Sequence, residues 1–178
     1  VADGGIADVA VVVCTSDGGD GATLALVDLG QDAVARDNVQ MIDFSRGHAE
    51  INFNGACAEV LGEDGAGWAA VEALMNSAAI LFAWEQIGLA EKALEQAREY
   101  ALGRFAFGRS IASYQAIKHK LAKMYVKNTL ARSNAYYGAW ALNAGASDLA
   151  VAAATSRVAA IQASLFAAEE NIQTHGGM

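Results

Sequence analysis

The chain has 178 residues, of which 54% are apolar and 18% charged, so a disordered tail or a solvating linker is excluded. It contains no proline, where average usage of about 5% would give roughly nine, and this favours long unbroken helices, since proline removes a helix donor and clashes with the preceding turn. The net charge of −8 makes nucleic acid and anionic membrane surfaces poor partners.

Composition changes near Trp68. Residues 1–67 carry 11 of the 18 glycines and 12 of the 20 acids, with Arg36 and Arg46 as bases. Four strands are expected in this half. Asp8–Cys14 and Ala22–Asp28 flank the glycine-rich turn Asp17-Gly-Gly-Asp-Gly21, and Val39–Phe44 and Ala49–Asn54 follow. In the last, Ile51 and Phe53 alternate with Glu50, Asn52 and Asn54, giving one buried and one wet face. Connections this short imply antiparallel pairing.

Residues 68–178 hold 29 alanines, eight acids and ten bases, and read as three long helices. The expected spans are 68–103, 110–142 and 147–174, with Ser110 and Ser147-Asp148 as caps and Asn143-Ala-Gly145 as the last break. Ile117, Leu121, Met124 and Tyr125 share one face of the second, with Lys120, Lys123 and Lys127 opposite. Short loops predict antiparallel packing in a bundle. The fold class is therefore α+β: an incomplete antiparallel β domain over 1–67, then a helical bundle over 68–178.

Cys14 and Cys57 form neither a disulfide framework nor a zinc pattern, and indicate a reduced, cytoplasmic setting with structural thiols. No run reaches eighteen consecutive apolar residues and there is no secretory leader pattern, so the sequence reads as soluble. His48, His119 and His175 are far apart and read as surface or helix-end residues, with no metal site expected. Phosphate-loop, nucleophile-elbow and zinc-protease motifs are missing.

The segment Tyr100-Ala-Leu-Gly-Arg-Phe-Ala-Phe-Gly-Arg-Ser-Ile-Ala-Ser-Tyr-Gln115 places Arg104 at one helix end, a break at Gly108 and Gln115 on the next helix. Free N–H groups and a guanidinium suit a diphosphate. An arginine favoured by the dipole at a helix C-terminus, followed by a glycine break, accounts for the same residues structurally.

The order Arg104-x-x-Phe107-Gly108-x-x-Ile111-x-x-Tyr114-Gln115, continued by Ala116-Ile-Lys-His-Lys-Leu-Ala-Lys-Met124, resembles the acyl-CoA dehydrogenase family. A second block, Gln173-Thr-His-Gly-Gly177, is similar to that family's Gln-x-x-Gly-Gly signature, and Gly62–Trp68 resembles its link from β domain to helices. The resemblance implies FAD as cofactor, with Arg104, Phe107, Gln115, Gln173, Gly176 and Gly177 contacting the diphosphate and adenine part bound by a neighbouring subunit. It further implies α,β-dehydrogenation of an acyl-CoA thioester, a tetramer built as a dimer of dimers with an isologous helical interface, and an electron-transfer flavoprotein or similar acceptor.

The resemblance departs at the substrate segment Met75-Asn-Ser-Ala-Ala79. Aligned back from Gly88, the position where a minority of the family carries the glutamate base is Ala78. The arginine that shapes the acyl-CoA site becomes Ala79, and the aspartate three residues earlier becomes Asn76. Met75, Asn76 and Ala79 are the candidate substrate contacts; no catalytic residue is assigned within the chain. Two readings stay open: an active enzyme with its base beyond Met178, or a non-catalytic subunit completing the FAD site of a heteromeric acyl-CoA dehydrogenase. Trp84-Glu-Gln-Ile-Gly88 and Gln115–His119 resemble the steroid side-chain enzymes of that heteromeric type. Glu85 is expected to be hydrogen-bonded at an interface, with a relocated base as the alternative. Lys118, Lys120, Lys123 and Lys127 are expected to form a solvated face. Trp68, Phe82, Trp84, Tyr136, Tyr137 and Trp140 are expected to be core or interface aromatics.

Overall fold

A computed structural model describes residues 1–17 and 19–177. The chain divides into two compact units, Val1–Glu72 and Ala73–Met178.

In the first unit, strands β1 (Val9–Cys14), β2 (Thr23–Asp28) and β5 (Ala58–Leu61) form an antiparallel sheet in the order β1-β2-β5, with Val11 opposite Leu26 and Leu26 opposite Glu59. β3 (Val34–Val39) and β4 (His48–Phe53) form a separate antiparallel pair, with Arg36 opposite Ile51. The expected strand over 39–44 is corrected: pairing ends at Val39, and Ile42 and Phe44 stand 99% and 90% exposed in the connection. β3 and β5 were not expected. Arg36, Asp37 and Asn38 give β3 no apolar alternation, and β5 is only four residues long. Asp64 fastens the loop leading to the helices, accepting from the hydroxyls of Ser16 at 2.7 Å and Thr23 at 2.5 Å. Cys14 and Cys57 are free and exposed.

The helices are α1 (Trp68–Gly103), α2 (Gln115–Ala144) and α3 (Leu149–His175). Between α1 and α2 the chain forms a hairpin of β6 (Phe105–Ala106) and β7 (Arg109–Ser110), then a 3-10 turn over Ile111–Ser113. α2 therefore starts five residues later than the sequence predicts. Ser110 caps the 3-10 turn, accepting from the N–H of Ala112, and its hydroxyl donates to the carbonyl of Ala101. Asp148 is the N-cap of α3 but makes no cap bond; it accepts from the Tyr137 hydroxyl at 2.6 Å. Gly145 closes α2 in the left-handed conformation at φ 61°, which glycine adopts without Cβ strain.

The buried faces follow one rule. Ile80, Ala83, Ile87, Ala90, Ala97 and Ala101 on α1 fall on alternating steps of three and four, with half-buried Leu94 filling the gap. Met124, Asn128, Ala131, Ala135 and Gly138 on α2, and Ser156, Ala160, Ala163 and Ala167 on α3, do the same. A mean step of 3.5 keeps each seam facing its neighbours along its whole length. Small residues allow the backbones to approach closely: a Cβ on Gly138 would lie 2.4 Å from the Ser156 hydroxyl. Consecutive helices are antiparallel, as Trp84 against Tyr136 and Lys120 with Glu170 show. α1 and α3 consequently run parallel, joined by Arg157 donating to Gln86 and Asn171 donating to Gln96. Asn128, 2% exposed, donates to the carbonyl of Ala90 across α1 and α2. By length and composition α3 is apolar enough to cross a membrane, though one of its faces is buried in the bundle.

The aromatic expectation divides. Trp84 is half-buried and meets Tyr136 edge-on, but Trp68, Tyr136, Tyr137, Trp140 and Phe82 are exposed and none is core. Tyr125 is likewise exposed, off the buried face. Lys120 is not a solvated cation: it pairs with Glu170 at 2.5 Å, both partly buried. Lys127 lies over the Phe166 ring.

Candidate functional site

The C-terminal end of α1, the start of α2 and the end of α3 meet at one end of the bundle. The imidazole of His175 stacks on Tyr100, centroids 4.2 Å apart and planes at 28°. His175 Nδ1 donates to the Asn171 carbonyl at 2.9 Å, which fixes the ring from below. Around this stack Gln96, Glu99, Ile172 and Gly176 line a cavity of about 570 Å³. One turn beyond Tyr100, the Arg104 N–H donates to the Tyr100 carbonyl, and the Ile111 N–H donates to the Arg104 carbonyl. The backbone at Arg104 is thus held on both sides. Its guanidinium is exposed, with no partner among the described residues.

Phe107 occupies the tip of the β6–β7 hairpin at φ 53°, and Gly108 follows at φ 79°. A two-residue hairpin loop with both central residues at positive φ suits Asn-Gly or Gly-Gly; a phenylalanine there is strained. Its ring is 97% exposed. Strain together with an exposed ring is the pattern of a residue kept for contact rather than for folding. Arg109 folds back over Tyr114, 4.0 Å from the ring centroid. The N-cap of α2, Tyr114, makes no side-chain cap bond, so first-turn N–H groups and the positive end of a 30-residue helix face outward. Gln115 is exposed there, 3.4 Å from His119. Gln173, Gly176 and Gly177 are exposed at the end of α3, with Gly176 at φ 73°.

All six residues expected to contact a cofactor therefore lie at this end. They supply a guanidinium, two amides, an aromatic ring, helix N–H groups and close-approach glycines. Such a donor set fits a diphosphate linked to a flat base. Tyr100 and His175 were not singled out as site residues; the Tyr100-x-x-x-Arg104 spacing, one helical turn, is the signal that would have found Tyr100.

The substrate candidates lie elsewhere. Met75 is 65% exposed, and Asn76 and Ala79 are half-buried, all in the first third of α1. At 1.5 Å per residue, Ala79 is about 38 Å along the axis from Arg104. Ala78 and Ala79 offer no ionisable group. Ser77 donates to the Ala73 carbonyl and is occupied within the helix. Glu85 is exposed on α1 and makes no bond among the described residues, so no helix–helix contact within this chain holds it. Among the described residues no three His, Cys, Asp or Glu side chains gather.

Residues 65–178 match the family model described as the acyl-CoA dehydrogenase C-terminal domain. A 105-residue stretch is 45% identical to the acyl-CoA dehydrogenase IpdE2 of Mycobacterium tuberculosis, covering 59% of this chain and 31% of that protein. The structure of butyryl-CoA dehydrogenase from Megasphaera elsdenii superposes with a TM-score of 0.89 at 26% identity, covering 99% of this chain and 48% of the other. The Tcur3481-Tcur3483 steroid ACAD superposes at 0.81 with 25% identity, covering 96% and 45%. The chain thus spans under one third of the curated relative and about half of the solved structures.

Proposed function

This chain belongs to the acyl-CoA dehydrogenase family, and on that premise we propose that the protein takes part in FAD-dependent α,β-dehydrogenation of an acyl-CoA thioester, its bundle end holding the adenosine diphosphate part of FAD from a neighbouring subunit. The family's members are FAD flavoproteins, and FAD supplies the hydride acceptor. The observation that carries the reading is the gathering of Arg104, Phe107, Gln115, Gln173, Gly176 and Gly177 at one end, with Ala79 about 38 Å and Met75 about 44 Å along the helix axis from Arg104. A cofactor held at both places of one chain would have to span the bundle. Contacts from two subunits remove that demand.

In this reading Arg104 binds the diphosphate as a forked donor, aided by the outward N–H groups at the start of α2. Phe107 packs against the neighbour, the amides of Gln115 and Gln173 orient the adenosine part, and Gly176 and Gly177 let backbone approach it. Met75, Asn76 and Ala79 border the acyl group, with the alanines leaving room where longer side chains would stand. Ala78 cannot take the α-proton, and in this reading the base is a glutamate from beyond Met178. We place the protein in the cytoplasm, within a homo- or heterotetramer that passes electrons to an electron-transfer flavoprotein.

A second reading is supported by the same alanines and by the likeness to the Tcur3481-Tcur3483 steroid ACAD: this chain completes the FAD site of a catalytic partner and does not itself turn over. Anaerobic addition of acyl-CoAs to the flavin-loaded assembly tests both. Bleaching that survives Met75→Ala and Asn76→Ala in this chain assigns turnover to the partner; bleaching lost in those variants assigns it here. A flavin-free assembly contradicts both readings.

A further inference from the structure

The apolar core stops short of the cofactor residues. Met124 is the first buried residue of α2, and Ala167 is the last buried apolar residue of α3. Half-buried Leu121 packs at the margin. About one turn beyond, Lys120 of α2 pairs with Glu170 of α3 at 2.5 Å, their side chains 31% and 21% exposed. Among the described residues this is the one ion pair that joins these two helices. Lys120 stands near the positive end of α2 and Glu170 near the negative end of α3, so neither helix dipole favours its charge. Their attraction is to each other.

The pair lies between the core and the site. Gln173 and Thr174 follow Glu170 by three and four residues, on the same side of α3. The Thr174 hydroxyl donates to the Glu170 carbonyl at 2.7 Å. Gln115 precedes Lys120 by five residues, about 7.5 Å along the axis. The register that joins Lys120 to Glu170 also joins the Asn134 carbonyl to the Ser156 hydroxyl. Carried to the end of the bundle, it sets Gln115 level with His175.

We propose that Lys120 and Glu170 are positioning residues for the cofactor end. Their ion pair fixes the start of α2 against the end of α3, and so sets the spacing of Gln115 and the outward N–H groups from Gln173 and Gly176. Both act through the helices that carry them, without touching the ligand. A ligand gripped by donors on two helices needs their separation held to within about 0.5 Å. Beyond the core, packing no longer holds it. Tyr100 and His175 do the same between α1 and α3, so side-chain pairs tie all three helix ends. This inference deepens the cofactor reading above and rests on it.

Titration of the labelled whole chain with ADP, followed by nuclear magnetic resonance, tests it in three variants. Glu170→Gln and Lys120→Met should each weaken ADP binding by roughly fivefold or more. Both should move the Gln115 and Gly176 amide signals before any ADP is added. Signals of Ala83 and Ala160, deep in the core, should stay in place, which separates repositioning from misfolding. Lys120→Glu combined with Glu170→Lys should restore the affinity, since the same link returns with each charge at the helix end that favours it. A pair that serves stability alone would lower Tm in the single variants and leave the ADP affinity of the folded chain unchanged. That result overturns the proposal and leaves the site standing. Affinity lost in the single variants and not recovered in the exchange overturns it too, because Lys120 would then act on the phosphate by its own charge. An unaltered chain that binds no ADP overturns the site and this proposal together.

Discussion

His175 and Tyr100 stack ring on ring at 4.2 Å, tying the Gln173–Gly177 segment to the end of the helix that carries Arg104. The two sequence blocks that carry the family resemblance are joined in space by a pair that neither block required. His175→Ala removes the stack and the Nδ1 donation to Asn171. The expected cost to global stability is small, about 1 kcal/mol, since aromatic pairs contribute about that much. Affinity for ADP, the half-cofactor probe, should fall about threefold to tenfold, measured by titration. Unchanged affinity would separate the stack from the site.

At the hairpin tip, Phe107 holds φ 53° with its ring in solvent. Phe107→Asn creates the Asn-Gly pair that such turns favour, and should stabilise the chain by about 1 kcal/mol, or roughly 2–4 °C in Tm. The same change should weaken association with the flavin-loaded neighbour. A variant that gains stability without losing function would show that the strain serves no contact.

Gly138 and Ser156 face each other where α2 packs on α3, with no room for a side chain at residue 138. A methyl group at residue 138 would lie 2.4 Å from Ser156 Oγ and 3.3 Å from Ile80. Gly138→Ala should therefore destabilise by about 1–3 kcal/mol despite the better helix propensity of alanine. Adding Ser156→Ala removes the clashing oxygen and should recover most of the loss, read as a non-additive double-mutant cycle in thermal unfolding.

In the first unit, hydrogen bonds from the Thr23 and Ser16 hydroxyls hold the Asp64 carboxyl below the usual carboxylate range. A carboxyl depressed in the folded state adds stability that is present above its unfolded pKa and is lost as pH falls through the folded one. Unfolding of the strand unit, followed by circular dichroism, should show stability declining below about pH 4 in the unaltered chain. Asp64→Asn should flatten that decline; an unchanged profile would place the acid sensitivity at another carboxyl.

The helical half was legible because its determinants are local. The absence of proline, the break at Gly145 and the apolar periodicity placed α1 and α3 within two residues of their observed ends. The Phe105–Ser110 hairpin was not legible, since Phe107 contradicts the residue preference of its own turn. β3 was hidden for a related reason: Arg36, Asp37 and Asn38 pair with β4 through backbone bonds that side-chain pattern does not report. Exposed Tyr136, Tyr137 and Trp140 show another limit, because aromatic content signals contact surface without saying on which side of the bundle it lies. Of the candidate site, the six cofactor positions could be named from motif order. That they share one end, far from Met75, needed the helices to be laid out in space.

The central claim is that this end recognises an adenosine diphosphate group, and nuclear magnetic resonance of the labelled chain titrated with ADP tests it most directly. The account predicts weak binding, in the millimolar range or about 4 kcal/mol, with shifts concentrated at Arg104, Gly108, Gln115 and Gly176 and binding lost in Arg104→Ala. Shifts centred on other residues, or binding indifferent to Arg104→Ala, would contradict it.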